Sequence, residues 1–287
     1  MNIKEVKYIL KELKIRPKQR LGQNFLIDKN IANKIIFESD LSKDDIILEI
    51  GPGLGALTKL LVKNAKKVYA IEIDSQFCKY LSEKFSKYGN IEIINANILT
   101  TDLPYHNKVV SNIPYSITGP LLEKVFFTKN PPHGILTVEK SIADRIFFNG
   151  NYKKFSRITV SLNSFMKPIA KFKISRNSFY PVPNIDLALI KIKPIKDIAP
   201  FLLDHDKKKY FLRFLADIMP YKNKDLVNAL KMYLKKNNIF NVKNPEILQI
   251  LRKKDFDNKK LFSFKIEDFV ELSELFFNLT IIEKDRD

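Results

Sequence analysis

The sequence predicts an α/β fold with a mostly parallel seven-stranded sheet, joined to a smaller domain built of helices alone. Three observations carry this. From about Asp45 to Ile195, short β-branched runs alternate with segments of helical spacing, the pattern of βαβ units and a buried parallel sheet. The last two strand-like runs lie close enough to pair antiparallel at one edge. After Pro200 no run reads as a strand, and apolar residues recur every three or four positions, the period of an amphipathic helix.

The elements follow in order. "MNIKEVKYILKEL" sets Val6, Ile9, Leu10 and Leu13 between charges. That is an amphipathic helix, without the unbroken apolar core of a secretory signal. It opens an N-terminal extension covering residues 1–20. Strands are expected at "IILEI" (46–50), "KVYAIEI" (67–73), "IEIIN" (91–95), "VVS" (109–111) and "GILTVE" (134–139). The intervals "ALTKLLVKNA", "SQFCKYLSEKFSK" and "GPLLEKVFF" have helical spacing. "RITVSLNSF" (157–165) and "LALIKIKP" (187–194) are expected as the two edge strands. "KKKYFLRFLADIM", "KDLVNALKMYLKK" and "KIEDFVELSELFF" form the helical domain. The boundary falls near 196–203, giving domains 1–198 and 199–287.

Composition narrows the function. Fifty Lys and Arg against 32 Asp and Glu leave a net charge of +18. Such an excess costs self-repulsion, so an anionic partner is expected, nucleic acid before membrane. The single cysteine, Cys78, excludes an internal disulfide and a cysteine-built zinc site. His106, His133 and His205 lie far apart without ligand spacing, and no metal is expected. No apolar run approaches the roughly 18 residues of a membrane span. A soluble, cytoplasmic protein is expected.

The first strand runs into "LEIGPGLGALT", with Gly51, Gly53 and Gly55 ahead of a helix. Glycines keep such a turn tight and let a ligand approach the backbone, and the helix start offers free N–H groups. This turn alone is shared by dinucleotides and other nucleoside cofactors. The tip of the second strand adds Glu72, 21 residues beyond Gly51, where a carboxylate can accept from both ribose hydroxyls; Ile73 stands beside it. At the third tip Asn97 can read an adenine edge. No Walker A lysine follows the glycines, which argues against a triphosphate.

The fourth strand separates a dinucleotide from S-adenosylmethionine. It ends in "VVSNIPYSITGP", and hydride transfer needs no Asn-Ile-Pro-Tyr there. An exocyclic amine acceptor does. The lone pair of an adenine N6 is delocalised into its ring. Two acceptors holding its N–H bonds pull it toward tetrahedral geometry and expose the lone pair to a sulfonium methyl. The Asn112 side-chain oxygen supplies one acceptor and the Pro114 carbonyl the other. Proline also biases Ile113 toward an extended backbone. Tyr115 offers a stacking face, worth about 1–3 kcal/mol per base. Chemistry then rests on alignment more than on a strong base.

At these residues the chain resembles the ribosomal RNA adenine N6,N6-dimethyltransferase family, the small-subunit dimethyladenosine transferases, in their archaeal and eukaryotic-like branch. Five motifs carry the likeness in order: "RLGQNFLID", "EIGPGLGALT", "SNIPYSIT", "VEKSIADRI" and "SFYPVPNIDLALIKI". It covers roughly residues 16–195 well and the rest loosely. The resemblance implies a Rossmann-like class I methyltransferase domain. It also implies S-adenosylmethionine as cofactor and dimethylation of two adjacent adenosines near the 3′ end of small-subunit rRNA during ribosome assembly. By the same resemblance Asn24, Leu26, Gly51, Gly53, Glu72, Ile73 and Asn97 bind the cofactor, and Asn112 sits between cofactor and target. Phe179 would sandwich the flipped base opposite Tyr115, where residues alone favour core packing. Two departures stand out. The family usually has Asp at the position of Asn97, and a basic cluster at a helix start is reduced to Lys222 and Lys224 in "MPYKNKDLVNAL".

The RNA surface is expected from basic clusters at 16–20, 151–157, 207–209, 235–238 and 251–260, with an affinity that falls steeply with salt. Two alternatives remain at this point. One is an erythromycin-resistance-type adenine N6-methylase of large-subunit rRNA, and the other a non-catalytic RNA-binding factor on the same fold. No long heptad seam is visible, so a monomer is expected.

Overall fold

The computed structural model describes residues 1–17, 22–151, 153–237 and 259–284. Most of the basic cluster at 251–260, and parts of those at 16–20, 151–157 and 235–238, lie outside them. The chain divides into two compact units, one of residues 1–143 and 166–194, the other of 144–165 and 195–287. The division is therefore not a single cut near 198: residues 144–165 leave the first unit and join the second.

The first unit opens with α1 (Ile3–Glu12) and β1 (Phe25–Leu26), then α2 (Lys29–Glu38) and β2 (Ile46–Ile50). There follow α3 (Thr58–Asn64), β3 (Lys67–Glu72), α4 (Ser75–Lys84), β4 (Ile91–Asn95), β5 (Lys108–Asn112), α5 (Thr118–Phe126) and β6 (His133–Glu139). After α6 (Lys140–Ile146) and α7 (Arg157–Asn163) come β7 (Met166–Ile174), β8 (Phe179–Tyr180) and β9 (Leu187–Pro194). The main sheet has seven strands in the order β4-β3-β2-β5-β6-β9-β7. β2 to β6 pair parallel, whereas β9 runs antiparallel to β6 and to β7. This is the expected mostly parallel α/β sheet.

One edge strand is not where the sequence places it. Residues 157–163 form helix α7, and Met166–Ile174 supplies the edge. The β-branched run "RITVSLN" misleads because Thr159 to Leu162 are all buried, and an unbroken buried run has no period to separate strand from helix. Local chemistry settles it: the Ser156 N–H donates to Thr159 Oγ1 at 3.1 Å, a reciprocal cap at the first turn. The true edge shows the two-residue alternation of exposure from Lys167 to Lys173 that a half-exposed strand requires.

The core lies between sheet and helices. Ile47 and Leu48 of β2, Val68 of β3 and Val110 of β5 are buried with Leu61 and Val62 of α3 and Leu81 of α4. Burying each such side chain contributes about 1.5–3 kcal/mol. A second cluster joins Val6 and Leu10 of α1 to Phe25, Leu54 and Phe77. Two features missed in the sequence are α2, capped by Asp28 Oδ1 accepting from the Asn30 N–H at 2.8 Å, and the two-stranded ladder pairing Phe25 with Tyr180 and Leu26 with Phe179.

The second unit holds α7, α8 (Pro200–Leu203), α9 (His205–Ile218), α10 (Leu226–Lys236) and α11 (Ile266–Lys284). Phe214 packs on Tyr233 and Phe276 with ring centroids 5.0 and 6.1 Å apart. Lys222, one of the two lysines kept from the family's basic cluster, donates to the Phe155 carbonyl. No helix among the described residues is long and apolar enough to cross a membrane.

Candidate active site at the strand tips

Sheet order reverses between β2 and β5, because β3 and β4 extend to one side of β2 and β5, β6 and β9 to the other. At such a switch point the connections leave in opposite directions and a crevice opens beyond the carboxyl ends of the strands. A cavity of about 220 Å³ lies there, lined by the tips of β2, β3, β4 and β5 and by the Gly22–Leu26 segment.

The glycine turn forms its floor. Gly51, Gly53 and Gly55 have φ of 64°, 55° and 77°, a region that favours glycine. A Cβ on Gly53 would stand 3.2 Å from two ring carbons of Phe25, and one on Gly55 only 2.7 Å from the Phe85 ring. The turn thus packs directly under the N-terminal segment on one side and over α4 on the other. Ile50 and Ser111 tie the tips of β2 and β5 together, the Ile50 N–H donating to Ser111 Oγ at 3.2 Å.

Glu72 lines the cavity at the tip of β3 and is 6 % exposed. One carboxylate oxygen accepts from the Gly53 N–H at 3.1 Å and the other from the Asp74 N–H at 3.0 Å. Burial raises its pKa, against the pull of those N–H groups. Ile73 beside it is half exposed. Asn97 lines the cavity at the end of β4. Its Oδ1 accepts from the Leu99 N–H at 3.0 Å, which leaves the Nδ2 donor for a ligand. An aspartate in this turn would present an acceptor instead.

The opposite wall comes from β5. Asn112 Nδ2 donates to the Asn24 carbonyl at 3.2 Å. A carbonyl accepts only from a donor, so this contact fixes which way the amide points and leaves Oδ1 as the acceptor. The Tyr115 hydroxyl approaches that oxygen at 3.5 Å, and burial raises the phenol's pKa and keeps it protonated. The Pro114 carbonyl accepts from the Ile117 N–H at 3.3 Å and keeps its second lone pair. Asn24, Leu26, Gly51, Gly53, Glu72, Ile73, Asn97, Asn112 and Pro114 all line one cavity.

Tyr115 and Phe179 do not. Tyr115 is half-buried and packs against the core cluster that contains Phe179. Phe179 is 0 % exposed, held by the rung that pairs it with Leu26. Both rings lie outside the cavity lining, and Phe179 is a core residue. Its place on a strand with one face to the core explains this.

One residue of the site has no role assigned by the sequence. Glu49, in the otherwise apolar strand "IILEI", is 2 % exposed and lines the cavity. Burial pushes its carboxyl up to about 8, partly offset by the Thr58 hydroxyl, which donates to Oε2 at 2.7 Å. The available signal is a carboxylate inside a buried β-branched run. Among the described residues no group of three or more His, Cys, Asp or Glu could hold a metal ion.

These donors and acceptors suit a nucleoside sulfonium. The buried Glu72 carboxylate can accept from a diol, an amide and main chain at 96–98 can meet a base edge, and a Cβ on Gly53 would crowd the Phe25 ring. The comparisons agree. A family model described as "Ribosomal RNA adenine dimethylase" matches residues 14–264. A protein of Borrelia garinii called "Ribosomal RNA small subunit methyltransferase A" is 34 % identical over 277 residues, covering 95 % of this chain and 93 % of its own. One of the same name from Mycoplasmopsis pulmonis is 37 % identical, covering 90 % and 98 %. A "Probable ribosomal RNA small subunit methyltransferase A" of the archaeon Methanosarcina acetivorans is 33 % identical, covering 90 % and 93 %. Bacterial and archaeal relatives thus match alike. Among solved structures, a dimethyladenosine transferase from Plasmodium falciparum superposes with a TM-score of 0.74 at 26 % identity, covering 88 % of this chain and 97 % of its own. The 23S rRNA methyltransferase ErmE, at 23 % identity and a TM-score of 0.62 over 88 % and 98 %, shares the fold. On the family match and these relatives, the chain belongs to the ribosomal RNA adenine dimethylase family.

Proposed function

We propose that this protein transfers methyl groups from S-adenosylmethionine to the N6 of two adjacent adenosines near the 3′ end of small-subunit rRNA. The single observation that carries the chemistry is the polarity of Asn112. With Nδ2 committed to the Asn24 carbonyl, Oδ1 is the acceptor at the cavity wall, and beside its long contact with the Tyr115 hydroxyl it can take one N–H of an exocyclic amine. The second lone pair on the Pro114 carbonyl takes the other. Holding both N–H bonds turns the nitrogen lone pair out of conjugation.

S-adenosylmethionine, when bound, supplies an electrophilic methyl on a sulfonium. Glu72 holds the ribose and Gly51 and Gly53 admit the ligand to the backbone. Asn97 and Ile73 flank the adenine, while Asn24 and Leu26 close the cavity from the N-terminal side. Asn112 and Pro114 are not bases, so the amine loses its proton to water after it has become cationic. Catalysis comes from alignment of the two reactants, a term that reaches several kcal/mol when both are pre-positioned. Tyr115 and Phe179, which lie outside the cavity lining, are the two aromatics for the target base, and reaching it requires their rings to move. Flipping an adenosine into the site costs a few kcal/mol, least where it is unpaired.

A pre-small subunit as the particle recognised, a monomeric enzyme and a cytoplasmic setting complete the proposal. The supporting features are the relatives' names and the charge of +18. The test is incubation with labelled S-adenosylmethionine and immature small or large subunits, followed by mapping of the label. Label on paired adenosines near the small-subunit 3′ end is the expected result; label on large-subunit RNA, or none, overturns it.

A further inference from the structure

Helix α1 lies outside the region matched by the family model, which begins at residue 14. It is nevertheless a built element. Asn2 accepts from the Glu5 N–H at 2.9 Å while Glu5 accepts from the Asn2 N–H at 3.1 Å, and Val6 and Leu10 are buried against Phe25 and Phe77. It borders a groove lined by Lys7, Lys11, Lys14, Arg16, Pro17 and Tyr180, with Leu10 and Ile15 beneath them. Among the described residues no carboxylate lines this groove. The four cations are exposed, and Lys7 Nζ stands 5.3 Å from the Tyr180 ring centroid, within cation–π range.

Lys14, which lines the groove, sits at the helix end. It has φ of 53° and occupies the turn that closes α1, with its N–H on the Lys11 carbonyl at 3.0 Å and the Ile15 N–H on the Leu10 carbonyl at 2.9 Å. This paired closure puts a left-handed residue just past the helix end, where glycine is favoured. A lysine there is uncommon, and Asp40 after α2 shares the conformation. The groove also lies close to the cavity. Tyr180 pairs across the short ladder with Phe25, and Phe25 lines the strand-tip cavity. The partners in such a rung are about 5 Å apart between Cα atoms.

We propose that this groove binds the sugar–phosphate backbone of the RNA strand beside the target adenosine. Lys7, Lys11, Lys14 and Arg16 neutralise phosphates and Tyr180 floors the path. A positive groove with an aromatic platform is the general form of a single-strand track. The proposal rests on the RNA adenosine reading of the cavity and adds a docking surface to it. No step of the reaction depends on it.

The test uses the full chain and a variant carrying Lys11→Ala, Lys14→Gly and Arg16→Ala, with naked small-subunit rRNA as probe. Each lost phosphate contact flattens the dependence of log affinity on log salt by about 0.7 for a single strand. Three contacts give a change in slope of about 2. Between 50 and 200 mM salt the wild type then loses roughly twentyfold more affinity than the variant. S-adenosylmethionine affinity stays the same, and Lys14→Gly alone melts no lower than wild type. Equal salt slopes for the two proteins overturn the proposal. So does a loss confined to assembled particles, which would mark an acidic protein as the partner. If the wild type methylates no rRNA adenosine while the slopes still differ, the groove stands as an RNA site and the reading of the cavity fails instead.

Discussion

Replacing Glu49 by Gln removes a buried carboxyl of the site whose pKa is pushed up to about 8. The amide keeps an oxygen for the Thr58 hydroxyl and has the same shape, so packing is preserved. The magnitude follows from the carboxyl's pKa of about 8 in the fold against its ordinary value of 4.5. A folded pKa above the unfolded one gives stability that is complete below pH 4.5 and lost as pH rises through 8. Integrated between pH 5 and 9, that loss is about 4 kcal/mol for the wild type and absent for Glu49→Gln. The assay is urea unfolding of both proteins across that range, compared by difference so that titrating groups away from Glu49 cancel; Glu72, whose charge helps to raise the Glu49 pKa, stays coupled to it. The gap should close steadily with rising pH until the Gln variant is the more stable. A pH-independent gap would show that Glu49 ionises normally and that the cavity is wetter than its 2 % exposure implies. The same carboxyl lines the cavity, so binding a cationic ligand should release protons near pH 7, visible as a calorimetric enthalpy that varies with buffer.

Glu72→Ala removes the acceptor for the ribose and frees the Gly53 and Asp74 N–H groups. S-adenosylmethionine affinity should fall about thirtyfold, roughly 2 kcal/mol for charged hydrogen bonds; equilibrium titration measures it, and an unchanged constant removes the ribose assignment. Asn97→Asp exchanges the free donor beside the adenine for an acceptor that suits its exocyclic amine. Affinity should rise about fivefold, the difference between a neutral and a charge-assisted hydrogen bond, and a fall in the same titration would refute the turn geometry.

Much of this site is legible in the amino-acid sequence because its residues sit at strand tips, where a short motif sets both backbone and chemistry. Residue type and spacing mark the glycine turn, Glu72, Asn97 and Asn112, and these meet at one cavity. What cannot be read depends on packing. "RITVSLN" carries strand-like residues but holds an unbroken buried run, so α7 is decided by a cap at Ser156 and by its partners in the helical unit. Residues 144–165 consequently join the second unit, a long-range exchange that no local pattern records. Phe179 is a different case: motif likeness gives it a ligand-facing role, while its side chain is buried in the core. Glu49 escapes notice because a carboxylate next to glycines reads as part of the turn, and only burial reveals its raised pKa.

The central claim is that the Asn112 carboxamide, oriented by the Asn24 carbonyl, holds the amine that receives the methyl group. Single-turnover methyl transfer by Asn112→Ala, with S-adenosylmethionine saturating and its affinity measured in parallel, tests this most directly. The rate should fall by at least about a hundredfold, with cofactor affinity within about threefold of wild type because Glu72 and the glycine turn are untouched. A transfer rate close to wild type would contradict it.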